Sequence, residues 1–262
     1  MTTHTVNWIE LEGAVNVRDV GGLPTEDGRT IRRGVLIRSA NLQDLTESDV
    51  AQLVDDLGVR RIVDLRTDVE VSNCQPGPMH GQPAVVIRHL SLYPDNGAGE
   101  TEPQATPDPV LPWHGESFAG TRDPAVAAYL RYLDRRPDSI VAALRAIAEP
   151  DGATVVHCAA GKDRTGMVVA LALSVAGVAP AVIAADYAQS QSQIGAILAQ
   201  LSRNGMYKLE VATPADIPPA SAAKMLSVLE AIEADFGGVH GWLAAQGWTE
   251  ADTERLRTAL LG

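Results

Sequence analysis

The sequence predicts an α/β protein: a mainly parallel central sheet flanked by helices, with a helical extension at its C-terminal end. Three observations carry this. Short runs rich in Val, Ile and Leu alternate with helical stretches, the order expected of strands joined by crossover helices. The chain has 262 residues, 45% of them hydrophobic, enough for a sizeable core. Beyond residue 180 the strand-like runs stop and only helical patterns continue.

The elements follow in order. V-L-I-R at 35–38 reads as a short strand, and a helix follows over 47–57, with Thr46 as its N-cap and Gly58 as its stop. R-I-V-D-L-R at 61–66 and A-V-V-I-R-H-L-S-L at 84–92 read as strands. Helices are expected over 124–135 and 139–149; Pro124 suits a first helical position, with Asp123 as the cap before it. T-V-V-H at 154–157 is a buried strand and 165–176 a mostly apolar, buried helix. The last third gives helices near 180–189, 193–203, 221–236 and 249–261, with Thr249 and Asp252 resembling a capping box. No internal repeat and no domain boundary stands out, so residues 1–262 are expected to form one domain. The stretch 95–113 differs from the rest, being rich in Pro, Gly and acids. A loop of that length is either a functional lid or unstructured, and it is placed at 95–120.

Composition narrows the function. A formal net charge of −12 repels nucleic acid and anionic lipid surfaces. An anionic substrate would therefore need a local positive site. The two cysteines, Cys74 and Cys158, show no metal-ligand spacing, which argues for a reducing compartment and against a disulfide scaffold. Neither a metal nor a cofactor is expected. No uninterrupted apolar window is long enough to span a bilayer, and the N-terminal residues do not resemble a Sec-type signal, so a cytoplasmic protein without stable membrane insertion is expected.

The chemistry gathers in V-V-H-C-A-A-G-K-D-R-T-G, residues 155–166. Strand, tight loop and helix form the geometry that holds an anion: the first amides of a helix lack internal partners and lie at the positive end of its dipole. A loop running from Ala159 through Ala160, Gly161 and Lys162 to Asp163, with its amides curled inward, would make a nest for phosphate. Gly161 permits the required backbone angles, and Arg164 adds a planar fork that matches two phosphate oxygens. The same positive field favours the thiolate of Cys158. A merely structural cysteine predicts apolar neighbours on its C-terminal side, yet Lys162, Asp163 and Arg164 stand there. The nucleotide-binding P-loop is excluded, because Val156 occupies the place of its first glycine and Asp163 follows the lysine.

His157-Cys158, five residues, Arg164-Thr165 resembles the H-C-x5-R-[S/T] signature of cysteine-dependent phosphatases, and H-C-A-A-G-K-D-R-T-G resembles the bacterial tyrosine-phosphatase-like family. The likeness extends over N-V-R-D-V-G-G (16–22), R-S-A-N-L (38–42), residues 57–70, A-A-D-Y (184–187), F-G-G-V-H-G-W-L (236–243) and R-L-R-T-A-L-L-G (255–262). It implies the cysteine-dependent protein phosphatase fold and a phosphomonoester hydrolase of the protein-tyrosine phosphatase type that works through a phosphocysteine, with specificity relaxed toward phosphoserine and phosphothreonine; a phosphoinositide phosphatase and a catalytically inactive phosphate-recognising module are the alternatives. Its substrate would be a phosphorylated protein or a phospholipid head group; oligomeric state is left open. By position, the resemblance implies Cys158 as nucleophile, Arg164 and the loop amides as holders of the phosphoryl oxygens, and Thr165 as donor to the departing thiolate. His157 would orient the loop and tune the thiol, or simply be a core histidine at a strand end.

Two residues compete for the role of general acid. Asp95, in L-Y-P-D, resembles the acid-loop aspartate of such phosphatases; otherwise it is a turn residue. Asp163 resembles the in-loop aspartate of the bacterial group; otherwise it partners a nearby cation. Lys162 resembles the lysine with which lipid phosphatases hold additional ring phosphates, whereas Ala159 departs from a basic residue that one such group carries there. Asp19, Asp64 and Arg66 are expected to support the loop by pairing. A redox pairing of Cys74 with Cys158 is not expected.

Overall fold

The computed structural model describes residues 5–94, 124–203 and 219–262. Six strands lie in these residues: β1 (Asn7–Trp8), β2 (Arg18–Asp19), β3 (Leu36–Ser39), β4 (Val59–Asp64), β5 (Val86–His89) and β6 (Ala153–His157). They form a sheet of order β1-β2-β3-β6-β4-β5. The pairs β3–β6, β6–β4 and β4–β5 are parallel, as expected. The β1–β2 and β2–β3 pairs are antiparallel, an edge that the sequence does not announce because two-residue strands carry no periodicity.

The helices are α1 (Glu47–Ala51), which continues as a π-helical turn over Gln52–Asp56, α2 (Asp68–Ser72), α3 (Pro124–Arg135), α4 (Pro137–Ile147), α5 (Asp163–Val175), α6 (Pro180–Ala188), α7 (Ile194–Arg203), α8 (Ala222–Phe236), α9 (Val239–Ala245) and α10 (Glu250–Leu261). Capping boxes open three of them: Thr46 with Asp49, Thr67 with Glu70, and Thr249 with Asp252. The helix expected over 47–57 exists, but its second half is wound as a π-turn, closed by the Leu57 amide donating to the Gln52 carbonyl and stopped at Gly58, whose φ is +63°. The helix expected from residue 139 starts at Pro137, which suits a first helical position because it lacks an N–H to satisfy. The strand expected over 61–66 ends at Asp64, whose side chain accepts the Arg66 amide and turns the chain out of the sheet. The strand expected over 84–92 is shorter, with Leu92 and Tyr93 leaving the sheet for the core.

Both faces of the sheet are covered, and side-chain alternation assigns them. Ile37, Val155 and Ile62 lie in register and face a smaller core with Val50, Leu53 and Met79. Leu36, Val63 and Val156 face the larger core, where α5, with Met167 through Leu173 buried, packs beneath α4, α6 and the C-terminal helices. Parallel strands buried on both faces read as continuous apolar runs, which is why 154–157 was legible. Asp123, Asp95 and the loop at 95–120 lie outside the described residues. Among the described residues no helix is long and apolar enough to cross a membrane.

Candidate active site

The loop after β6 is held by four sets of contacts, and all of them take its carbonyls. The Asn41 amide donates to Ala159 O at 3.0 Å. The Asn16 side chain donates to Ala160 O at 3.0 Å. Arg38 Nη2 donates to Gly161 O at 2.9 Å and lies 3.4 Å from Lys162 O, which also accepts from the Gly166 amide. In a trans peptide the N–H points opposite the preceding C=O. Fastening these carbonyls outward therefore aims the amides of Ala160, Gly161 and Lys162 at the concave side, next to the start of α5. Gly161 has φ +64°, and a Cβ there would lie 2.4 Å from Ser39 O, so only glycine fits between the loop and β3.

Cys158, Ala159, Ala160, Gly161, Lys162, Asp163, Arg164 and Thr165 are all buried. Helix α5 begins at Asp163, two residues earlier than expected, so Asp163 and Arg164 sit in its first turn, beside the positive end of its dipole. Arg164 meets Glu70 in a two-pronged pair, Nη1–Oε2 at 2.5 Å and Nη2–Oε1 at 3.1 Å, with its guanidinium 5.7 Å from the Tyr93 ring centroid. Burial works against the charge of Arg164, but Glu70 and Cys158 outweigh it and hold the guanidinium firmly protonated. The Thr165 hydroxyl is buried and meets no partner among the described residues.

Behind the loop lies a buried ionic web. Asp186 of α6 joins Arg18 (Nε–Oδ1, 2.9 Å) to Arg38 (Nη1–Oδ2, 2.7 Å). Arg18 also donates to Asn16 Oδ1 at 2.7 Å, closing the circuit back to Ala160. Burial and the neighbouring Arg38 push Arg18 down to about 10, against Asp186, so it stays charged at neutral pH. Burial pushes the Asp186 carboxyl up, but the two arginines win and hold it below the usual range. Gln200 adds a further tie, donating to Asn41 O and Gly13 O at 2.9 Å each.

His157 is buried, with Nδ1 3.3 Å from Cys158 O and Nε2 3.7 Å from Asp64 Oδ2. Burial pushes it down to about 4, against the pull of Asp64, so it is neutral at physiological pH. Asp64 pairs with Arg66 at 2.6 Å. Its carboxyl is held well below the usual range, although burial opposes this; above about pH 4, where His157 is neutral, Arg66 is the group that does so. Asp19 accepts the amides of Gly21 and Gly34 at 2.8 Å and shapes the turns around β2. Asp64 and Arg66 thus pair as expected, whereas the contacts of Asp19 go to the turns around β2 and not to the loop.

Lys162 and Asp163 face each other, Nζ to Oδ1 at 2.9 Å, both buried. Asp163 Oδ1 also accepts from the Tyr129 hydroxyl at 2.5 Å. Cys74 and Cys158 are free thiols; Cys74 follows α2 beside Arg66, and burial pushes its thiol up.

Sequence reasoning assigned no role to Glu70, Asn16, Arg38, Tyr129 or Asp186. Glu70 had a signal, since T-D-V-E at 67–70 is a capping box. The carboxylate serves twice: its Oε2 accepts the Thr67 amide at 2.7 Å while the group pairs with Arg164. The partnership of Tyr129 with Asp163 spans 34 residues and has no local signal.

The model of a family described as "Tyrosine phosphatase family" matches residues 9–262. A protein named triple specificity protein phosphatase PtpB, from Mycobacterium tuberculosis, is 29% identical over 97% of this chain and 99% of its own length. A tyrosine-protein phosphatase of Nostoc commune is 28% identical over 86% of this chain and 73% of its own. The chain belongs to the tyrosine phosphatase family, whose members hydrolyse phosphomonoesters.

Proposed function

We propose that residues 1–262 act as one protein-tyrosine phosphatase domain working through a phosphocysteine at Cys158. Cys158 Sγ attacks phosphorus and the ester oxygen departs with a proton; water then attacks phosphorus and the S–P bond breaks, releasing inorganic phosphate. Arg164 and the amides of Ala160, Gly161 and Lys162 hold the phosphoryl oxygens through both steps. The observation that carries this reading is the outward fastening of four consecutive loop carbonyls around a buried cysteine. The Thr165 hydroxyl, which meets no partner among the described residues, supports a donor role toward the departing thiolate. The neutral, buried His157 supports orientation of the loop rather than delivery of a proton. Asp95 and Asp163 are the two candidates for proton transfer that the sequence offers.

The substrate class is phosphotyrosine, with a range extending to phosphoserine and phosphothreonine, in line with the name of the mycobacterial relative. Phosphoinositides belong in the same test, since Lys162 motivated them; its ammonium rests on Asp163 inside the protein, which favours peptides. Cys158→Ser is expected to abolish turnover of an aryl phosphate while keeping binding of phosphate or vanadate, and turnover by the unaltered protein should persist in a chelator. Undiminished activity of Cys158→Ser would overturn the mechanism. A soluble phosphoinositide hydrolysed faster than every phosphopeptide would overturn the substrate class.

A further inference from the structure

Arg164 is buried and has to present its fork to the phosphoryl oxygens at a fixed angle. Glu70 sets only part of that angle. Its carboxylate meets Nη1 at 2.5 Å and Nη2 at 3.1 Å, both at the far edge of the guanidinium. Two hydrogen bonds along one edge fix where the fork points, yet they act as a hinge, because the plane can tilt about that edge with little loss of either bond. The faces of a guanidinium make no hydrogen bonds and are weakly hydrated, so an aromatic ring laid against one of them is what restrains the tilt. Tyr93 supplies that ring, its centroid 5.7 Å from Arg164 Cζ.

Tyr93 is itself anchored at both ends. At the ring, Tyr132 of α3 packs edge-on at 5.6 Å with an interplanar angle of 85°, and the two hydroxyls lie 3.2 Å apart. At the backbone, the Tyr93 amide donates to Ser91 Oγ at 3.1 Å, while Ser91 Oγ and Arg136 Nη1 each donate to Tyr93 O at 2.9 Å. Arg136, just ahead of α4, is held in turn by Asp138, Nε–Oδ1 at 3.0 Å and Nη2–Oδ2 at 2.9 Å. A tyrosine that only filled the core would need its apolar contacts alone. Here a charged side chain fixes its carbonyl as well, and the ring is set against the guanidinium on which phosphate holding depends.

We propose that Tyr93 is a positioning residue for Arg164: its ring closes one face of the guanidinium and fixes the tilt that the pair with Glu70 leaves loose, and Arg136 holds Tyr93 in place for this. Glu70 and Tyr93 thus constrain the fork in two perpendicular directions, one in its plane and one across it. The ring is the working part, and the hydroxyl only ties it to Tyr132. The proposal rests on the reading above in which Arg164 holds the phosphoryl oxygens.

The test is oxyanion binding and turnover in two variants. Tyr93→Phe keeps the ring, whereas Tyr93→Met fills the space without one. Tyr93→Phe should stay within about twofold of the unaltered protein, both in the vanadate inhibition constant and in kcat/KM for an aryl phosphate. Tyr93→Met should bind vanadate about 10-fold more weakly and lose about the same factor in kcat/KM, with both limbs of the pH profile in place because the ring moves no proton. A loss in Tyr93→Phe as large as in Tyr93→Met would overturn the proposal, as would a shifted limb or full vanadate binding in Tyr93→Met. Arg136→Ala covers a Tyr93→Met protein that does not fold, since it leaves the ring in the core and removes one donor from its carbonyl. Vanadate binding about threefold weaker is expected there, and undiminished binding would overturn the anchoring. Arg164→Lys separates the two readings. If it binds vanadate as well as the unaltered protein, the reading of Arg164 as phosphate holder fails and the proposal with it; if it is impaired while Tyr93→Met is not, the proposal fails alone.

Discussion

Replacing Asp186 with Asn tests whether the buried ionic web is what keeps the loop in shape. Arg18 and Arg38 are 0% and 1% exposed, and Asp186 is the carboxylate that bridges them. Removing one partner of a buried pair costs about 3–5 kcal/mol, because the remaining charge has lost its counter-ion out of reach of water. The amide keeps one acceptor, and Arg18 keeps the backbone carbonyl of Asp186 at 2.8 Å and Asn16 Oδ1, which points to the lower end, about 3 kcal/mol. For a domain of this size that is a fall in Tm of roughly 6–12 °C. The effect must reach the site, since the same Arg38 guanidinium holds Gly161 O; kcat/KM for an aryl phosphate should drop with stability. The pH dependence has a definite sign. The folded carboxyl is held below its unfolded value of about 3.9 by the two arginines, so its contribution is complete above about pH 4 and is lost only as pH falls through the lower folded value. The urea midpoints of the two proteins, followed by tryptophan fluorescence, should therefore differ by a constant amount between pH 6 and 8 and converge in strong acid. A gap below about 1 kcal/mol at pH 7, or one that widens on acidification, would refute the reasoning.

Three further outcomes follow from the same geometry. Gly161→Ala places a Cβ 2.4–2.6 Å from the backbone of Ser39 and Ala40 at a φ of +64°, so a loss of about 2–4 kcal/mol in thermal unfolding and near-complete loss of phosphate binding are expected. Glu70→Gln removes the carboxylate that aligns Arg164 and should lower kcat/KM about 100-fold in steady-state assays, the cost of a misplaced phosphate clamp. His157 is about 4 when folded against about 6.5 when unfolded, so the unfolded chain gains a proton first as pH falls. Between pH 6.5 and 4 this contributes a loss of at most about 3.5 kcal/mol, two and a half pH units at about 1.4 kcal/mol each, and that part of the slope should vanish in urea titrations of His157→Asn.

The parallel part of the sheet and most helices were legible because each carries its own period or cap. The 154–157 run is continuous because β6 is central and buried on both faces. Thr46, Ser221 and Thr249 announce their helices by side chains that accept amides three residues on. The loop 158–164 was legible because its chemistry is local: cysteine, glycine and arginine at fixed spacing next to a helix start. What was not legible is long-range. Asn16 and Ala160 are 144 residues apart, and Arg38 and Asp186 are 148. Their motifs, N-V-R-D, R-S-A-N-L and A-A-D-Y, were recognised as matching a family, but nothing in the spacing says that they meet on one loop. Helix α9 was missed for a simpler reason, being seven residues long between glycines and without a capping side chain.

The placement of these motifs explains why the protein keeps so much charge in its interior. A buried pair such as Arg38–Asp186 is a poor source of stability, since well-packed apolar residues of similar volume often do as well or better. Apolar residues cannot, however, meet a carbonyl. An anion nest needs its amides turned inward, and that turns the preceding carbonyls into the protein, where each must find a donor or lose roughly 1–3 kcal/mol. Asn16 and Arg38 are those donors for Ala160 and Gly161, and the Asn41 amide is the donor for Ala159. Arg38 can serve only if its charge is met, hence Asp186; Arg18 meets the other carboxylate oxygen and fixes Asn16. The web is thus the requirement of the Ala160 and Gly161 carbonyls carried outward one partner at a time, and a change anywhere along it should register as weakened oxyanion binding together with lost stability.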